Sequence, residues 1–198
     1  MSNIIAIDVD GVLVNYRNAY AKRWEQAFGE HPKVKNKDAY RLWDYWDIPF
    51  LTRADLLAKL ENYSTSDFWR NMPPIQGALE GCQILVDAGY ELVAVTACAP
   101  RFAPERTANL EDLGYPISKV MCVGSTNSGF SPKAEIINEM KPAYFIDDFI
   151  DYFHGIDPDI KKVLINYPVN LPSEKVSTGE MTFIVKDLLE AALVIRGS

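Results

Sequence analysis

The apolar run Ile4-Ile5-Ala6-Ile7 ends abruptly at Asp8. A short, β-branched run without polar alternation predicts a strand buried on both faces. The pattern returns in ELVAVT at 91–96, KVMCVG at 119–124 and AYFIDD at 143–148, and a fifth run, KVLINYP, spans 162–168. Helical spacing lies between these runs, roughly at 78–88, 104–113 and 133–140, with a last helix near 186–196. Strands alternating with helices predict an α/β fold built on a parallel sheet.

Residues 15–75 break this rhythm. They are rich in aromatic and charged side chains, show helical spacing at 17–28 and 53–62, and contain no buried-strand run. The stretch reads as a helical insertion after the first strand, and Pro73-Pro74 marks its end. The tail at 168–180 (PVNLPSEKVSTGE) reads as a surface loop before the final helix.

Composition narrows the function classes. The chain has 198 residues, enough for one domain with an insertion, and a net charge of −7. Such a field disfavours a nucleic acid polymer or an anionic membrane as partner. No apolar run approaches the ~20 residues that span a bilayer. MSNIIAIDVDG lacks a basic leader and carries charge by residue 8, so no signal peptide is expected and a cytoplasmic location is. Cys82, Cys98 and Cys122 form no knuckle or redox motif and read as free thiols.

In an open parallel sheet, ligands gather beyond the carboxyl ends of the strands. The first strand is followed by Asp8, Asp10 and Gly11, the second ends at Thr96, Ala97 and Cys98, and the fourth ends at Asp147-Asp148. Lys133 opens the helix before that fourth strand. Taken singly, each has a plain explanation: a turn, a helix cap or a solvated lysine. Their joint order, each at a strand or helix end, points to one site. Clustered carboxylates need a cation, and a few hard oxygen ligands with room for water and phosphate describe a magnesium site. A carboxylate such as Asp8 can attack phosphorus to give an aspartyl-phosphate. Asp10 can protonate the leaving oxygen and then activate water, while Thr96 and Lys133 can hold phosphoryl oxygens.

Other chemistries fail on spacing. Cys98 would need an arginine six positions on to cradle phosphate as a cysteine phosphatase does, and that position is Pro104. His31 and His154 are too few and too far apart for a triad or a histidine zinc site, and no glycine-rich dinucleotide or Walker motif occurs. Arg41, Arg53, Arg70 and Arg101 are candidates to meet a substrate anion, and Arg101 ranks first because it lies near Thr96.

The motifs IIAIDVDGVL (4–13), LVAVTA (92–97), SPKAEII around Lys133 and YFIDDF (144–149) resemble those of the haloacid dehalogenase superfamily, in the same order and across most of the chain. The resemblance implies a Rossmann-like core from 1–14 and 76–198, with a small helical cap from 15–75. It implies Asp8 as nucleophile, Asp10 as acid/base, Thr96 and Ala97 in the phosphate loop, and Lys133 as charge stabiliser. Magnesium would be held by Asp8, the Asp10 backbone carbonyl, and mainly Asp148, with Asp147 reaching it directly or through water. Asp10 favours the phosphatase members over the dehalogenases. The segments at 68–97 and 163–170 are further similar to the 5′(3′)-deoxyribonucleotidases. That implies a small phosphorylated substrate, such as a nucleoside monophosphate, with Phe50, Phe68 and Trp69 as stacking candidates, though for each the plainer reading is packing of the cap core. Phe149 stands where that subgroup is expected to carry arginine. A monomer or homodimer is expected. Phosphotransferases or mutases, and non-catalytic binding members, are the alternatives within the same fold.

Overall fold

The computed structural model describes residues 2–37, 39–49, 66–124, 130–165 and 175–198. The expected helix at 53–62, together with Phe50 and Arg53, lies outside them. The described strands are β1 (Ile4–Ile7), β2 (Glu91–Thr96), β3 (Lys119–Cys122), β4 (Tyr144–Asp147), β5 (Lys161–Ile165) and β6 (Phe183–Val185). They form one parallel sheet in the order β3-β2-β1-β4-β5-β6. The helices are α1 (Tyr16–Phe28), α2 (Leu42–Tyr45), α3 (Ser66–Arg70), α4 (Ala78–Asp87), α5 (Ala103–Asp112), α6 (Ala134–Met140) and α7 (Leu188–Arg196).

Alternation along the strands sorts the core into two layers. Ile5, Ile7, Leu92, Ala94, Tyr144, Ile146, Val163 and Ile165 face α4, α5 and α7, meeting Leu85, Leu110 and Leu188. Ala6, Val93, Val95, Phe145 and Leu164 face the other way, onto Ile137 of α6 and the segment carrying Ile150, Phe153 and Ile160. A strand buried on both faces loses its polar alternation, which is why these runs read as uniformly apolar. On the first face α4 and α7 cross tightly, since a β-carbon on Gly81 would come within 2.8 Å of the Leu188 carbonyl oxygen.

Two boundaries depart from the sequence reading. β3 stops at Cys122, before Gly124 turns the chain at a φ of 72°. β6 falls between the expected tail at 168–180, of which 168–174 lie outside the described residues, and the expected final helix near 186–196; it is three residues at the sheet edge of which only Val185 is buried. So short a run carries no periodic signal.

The two ends of the segment between β1 and α4 are paired with each other, forming a neck. The Asn15 amide donates to the Pro73 carbonyl at 2.7 Å, and the Ile75 amide to that of Leu13 at 2.9 Å. Beyond the neck, Tyr20, Ala21 and Trp24 of α1 pack with Trp46 in a cluster of their own, and Trp24 stacks on Phe28 at 4.1 Å. The returning helix α3 lies instead along core helix α5. Ser66 donates to Glu105 at 2.7 Å, and Arg70 pairs with Asp112 at 2.9 Å. Both contacts are exposed and screened by solvent, so they add little to stability. Firmer attachment comes from Trp69, which stacks on Phe102 at 5.3 Å.

Candidate active site

The sheet register brings the acidic residues level. Ile7 lies beside Ala94 on one side and Ile146 on the other, so Asp8 emerges next to Asp147 and near the end of β2. Alternation then divides the labour between the two faces. Asp147 follows Phe145 onto the α6 side, and Asp8 follows Ala6 there. Lys133, at the N-terminal end of α6, meets both: its Nζ lies 2.6 Å from Oδ1 of Asp8 and 2.7 Å from Oδ2 of Asp147. All three side chains are buried.

On the opposite face stands a second charged pair. Arg106, on α5, is fully buried, and its Nη2 lies 2.6 Å from Oδ1 of Asp10. The Thr96 hydroxyl donates to Oδ2 of Asp10 at 3.4 Å and accepts from the Cys98 amide at 3.2 Å. The site therefore straddles the end of the sheet, with Asp8 and Asp10 opening onto the same cavity.

Asp148 completes the cluster. Gly11, at a φ of 95°, presses so closely on its carboxylate that a β-carbon there would overlap Oδ2. The Tyr40 hydroxyl donates to its Oδ1 at 3.4 Å. Burial pushes the Asp148 carboxyl well above the usual range, and repulsion from Asp8 and Asp147 adds to this. Burial also pushes Asp147 up to about 7, against the pull of Lys133. Desolvation works against the Lys133 ammonium, but Asp147 and Asp8 outweigh it and hold its pKa above the ordinary lysine value. Burial raises Asp10 as well, with Arg106 opposing.

This arrangement fits a divalent cation. Asp8, Asp147 and Asp148 each offer a carboxylate oxygen, and those atoms lie within 4.8 Å of one another. Among the described residues, two cations pair with this cluster of four carboxylates, Lys133 with Asp8 and Asp147 and Arg106 with Asp10. The excess of two negative charges is what one divalent ion neutralises. Neither cation touches Asp148; burial raises its carboxyl pKa, and repulsion from Asp8 and Asp147 adds to this.

A cavity of about 570 Å³ opens over the cluster, within the usual size for small-molecule sites. Its floor holds Asp8, Asp10, Thr96, Ala97 and Asp148, and its walls include Asn15, Tyr16, Arg17, Tyr40, Trp43, Tyr45, Trp69 and Phe149. Phe149 stacks on Tyr40 at 4.9 Å and meets Tyr152 edge-on, so this apolar residue forms part of the cavity wall.

The sequence-derived candidates fare unequally. Asp8, Asp10, Thr96, Ala97, Lys133, Asp147 and Asp148 converge. Trp69 lines the cavity, whereas Phe68 is turned aside, edge-on to Tyr16 with the Arg23 guanidinium 4.9 Å over its ring. Both pack against the core cluster rather than the separate cluster of the insertion. Arg101, ranked first among the arginines, is exposed and lies over Phe102, away from the cavity. Of the arginine candidates, Arg41 lines the cavity, as does Arg17, while the arginine that pairs with an acid of the site is Arg106, five residues on from Arg101. A buried arginine on a polar helix looks like surface charge in sequence. The available signal was its spacing, four residues from Phe102 and four from Leu110, which places it on the inward face. Tyr40 was also missed, because its segment has no period linking it to Asp148.

The comparisons agree with this architecture. The family described as 5′ nucleotidase, deoxy (Pyrimidine), cytosolic type C protein matches residues 2–117, more than half of the chain. No curated protein matches the sequence significantly. Among solved structures, a haloacid dehalogenase family hydrolase from Deinococcus radiodurans R1, with bound phosphate and sodium, aligns with a TM-score of 0.62 at 15% identity over 99% of this chain and 96% of its own. A predicted phosphoglycolate phosphatase from Haemophilus somnus 129pt aligns with a TM-score of 0.63 at 16% identity over 98% of each chain. The L-2-haloacid dehalogenase from Xanthobacter autotrophicus aligns with a TM-score of 0.63 at 14% identity over 100% of this chain and 99% of its own. At these identities the structures share the fold, and their activities differ among themselves. No helix among the described residues is long and apolar enough to cross a membrane. By its match to the family profile across the motif-bearing N-terminal half, the chain belongs to the cytosolic type C 5′ deoxynucleotidase family, on a haloacid dehalogenase fold.

Proposed function

We propose that the protein is a magnesium-dependent phosphomonoesterase acting on a nucleoside monophosphate through an aspartyl-phosphate on Asp8. The observation that carries this reading is the pair of acids at the cavity floor. Asp8 is held by Lys133 at 2.6 Å, and Asp10, two residues on, is held separately by Arg106 at 2.6 Å. Two carboxylates in different environments suit two roles.

In the first step a carboxylate oxygen of Asp8 attacks phosphorus and the ester P–O bond breaks. The leaving oxygen takes a proton from Asp10. In the second, water attacks the phosphorus of the acyl-phosphate and gives a proton to Asp10. Asp8 and inorganic phosphate are released. Lys133 holds and orients the nucleophile, and the Thr96 hydroxyl, with the backbone at Ala97, is placed to bind phosphoryl oxygens. Asp8, Asp148 and Asp147 would hold Mg2+, with the Asp10 backbone carbonyl. A divalent cation, when bound, offsets the charge between nucleophile and phosphate.

Family membership and the aromatic cavity support a nucleotide substrate, with Trp69 as the base-stacking candidate among the described residues. The phosphate in the Deinococcus relative agrees with phosphate chemistry on this fold. We read 15–75 as the cap that covers the site, since its described part supplies Tyr40, Trp43 and Tyr45 to the cavity wall. A cytoplasmic location is part of the proposal, supported by the family's description as cytosolic.

The test is phosphate release from ribo- and deoxyribonucleoside 5′- and 3′-monophosphates, with an aryl phosphate as control, for the wild type and Asp8→Asn. Release by the wild type alone is expected, and chelation should abolish it. Turnover by Asp8→Asn, or survival of activity in chelator, would overturn the mechanism. Product carrying the phosphoryl group on an added alcohol would mark a phosphotransferase instead.

A further inference from the structure

We propose that Arg106 is a positioning residue that holds the Asp10 carboxylate toward the cavity floor, and that the same helical turn ties this carboxylate to the return of the insertion. The proposal rests on the reading of Asp10 as the acid/base.

Asp10 is poorly restrained by anything else. Among the described residues its second oxygen meets the Thr96 hydroxyl, at 3.4 Å. The Asp8 carboxylate, two residues away, repels it. Left alone, such a side chain would rotate toward water. Arg106 opposes this with an ion pair of 2.6 Å, drawn from a fully buried position on α5.

The guanidinium is itself anchored. Its Nη1 lies 3.4 Å from both Oδ1 of Asn109 and Sδ of Met72, and its plane sits 5.0 Å from the Trp69 ring centre. Asn109 in turn donates to the carbonyls of Arg70 at 2.8 Å and Met72 at 3.0 Å. Two residues one turn apart on α5 thus grip the acid/base carboxylate and the segment 70–72 leading into the neck. A planar fork presents separate, rigidly spaced donors to Asp10 and Asn109, whereas a lysine ammonium offers a single point charge on a flexible stem. A buried charge serving only to fasten α5 would be a costly device, since an apolar side chain fills such a position without desolvation.

The experiment separates positioning from general damage by leaving-group dependence. Asp10 matters most when the leaving oxygen needs a proton. kcat/KM is measured for an alkyl phosphate and for an aryl phosphate whose phenolate leaves unprotonated, on the wild type, Arg106→Met and Arg106→Lys. Arg106→Met is expected to lose about 100-fold on the alkyl ester and less than about 5-fold on the aryl ester, with Arg106→Lys between it and the wild type. Equal losses on both esters would overturn the proposal. Crystal structures of the two variants give a readout independent of turnover. The Asp10 carboxylate is expected to have turned away from its wild-type position in Arg106→Met, and an unchanged rotamer would overturn the proposal. If Arg106→Met fails to fold, Arg106→Lys carries both measurements. Absence of phosphate release by the wild type would sink the phosphatase reading instead, and the Asp10 rotamer would still decide the role of Arg106.

Discussion

Gly11 stands so close to Asp148 that a β-carbon on it would overlap the carboxylate. Its φ of 95° adds a second constraint, because that region suits glycine and strains other residues. The acidic motif after β1 and the acidic pair after β4 are therefore fitted to each other, although Gly11 and Asp148 stand 137 residues apart in sequence.

Gly11→Ala should consequently abolish activity and cost at least about 2 kcal/mol of stability, from strain and from displacement of a buried carboxylate. Gly114→Ala is the control. Gly114 has a φ of 75° but open space around it, so strain alone should cost about 1 kcal/mol and leave activity intact. Chemical denaturation and phosphate release measure both. Equal behaviour of the two variants would contradict the packing argument.

Lys133→Met should be strongly destabilising in metal-free buffer. It leaves Asp8 and Asp147 buried without their shared counter-charge, a change that costs about 3–5 kcal/mol. Added Mg2+ should recover part of this loss. A cost below about 1 kcal/mol, measured by urea denaturation in chelator, would contradict the arrangement described.

The dependence on pH follows from Asp147, whose carboxyl burial raises from 3.8 to about 7. The folded state then holds its proton more tightly than the unfolded chain. Metal-free stability should therefore fall as pH climbs from about 4 to about 7, by at most about 1.4 kcal/mol per unit from this group. Mg2+ competes for the ionised form, so the gain in Tm on adding it should be larger at pH 8 than at pH 5. The same gain at both values would contradict the assignment of Asp147 to the cluster.

Tyr40→Phe removes the hydroxyl that reaches Asp148. Groups that orient a metal ligand typically affect metal affinity 10- to 100-fold. At 3.4 Å this contact belongs at the weak end, so about a tenfold loss of Mg2+ affinity is expected by isothermal titration, with the fold unchanged. No change in affinity would show that the hydroxyl does not support Asp148.

Phe149→Ala should open the wall that Phe149 and Tyr40 form at 4.9 Å. KM for a nucleoside monophosphate should rise about tenfold, equivalent to about 1.4 kcal/mol, while kcat stays close to the wild type. A fall in kcat without a rise in KM would move Phe149 from the wall to the reacting centre.

The strands of the sheet interior were legible because burial on both faces erases polar alternation, leaving runs such as Ile4–Ile7 and Tyr144–Asp147 that have little other use. The carboxylates, Thr96 and Lys133 were legible because a parallel sheet delivers its strand ends to one edge, so position along each element already implied convergence. Arg106, Tyr40 and β6 were not. Arg106 acts through a helix packed on the opposite face, Tyr40 through an irregular segment, and β6 through three residues at an edge.

What the amino-acid order determined by itself was local: which segments are apolar on both faces, where they end, and which chemical groups stand at those ends. Only the tertiary structure decided the pairing of those groups. Lys133 serves Asp8 and Asp147 because strand alternation turns all three to one face, and Arg106 serves Asp10 because α5 covers the other. Charge pairs depend on distances of a few ångströms, and such distances between remote residues come from how layers pack, which no local pattern encodes.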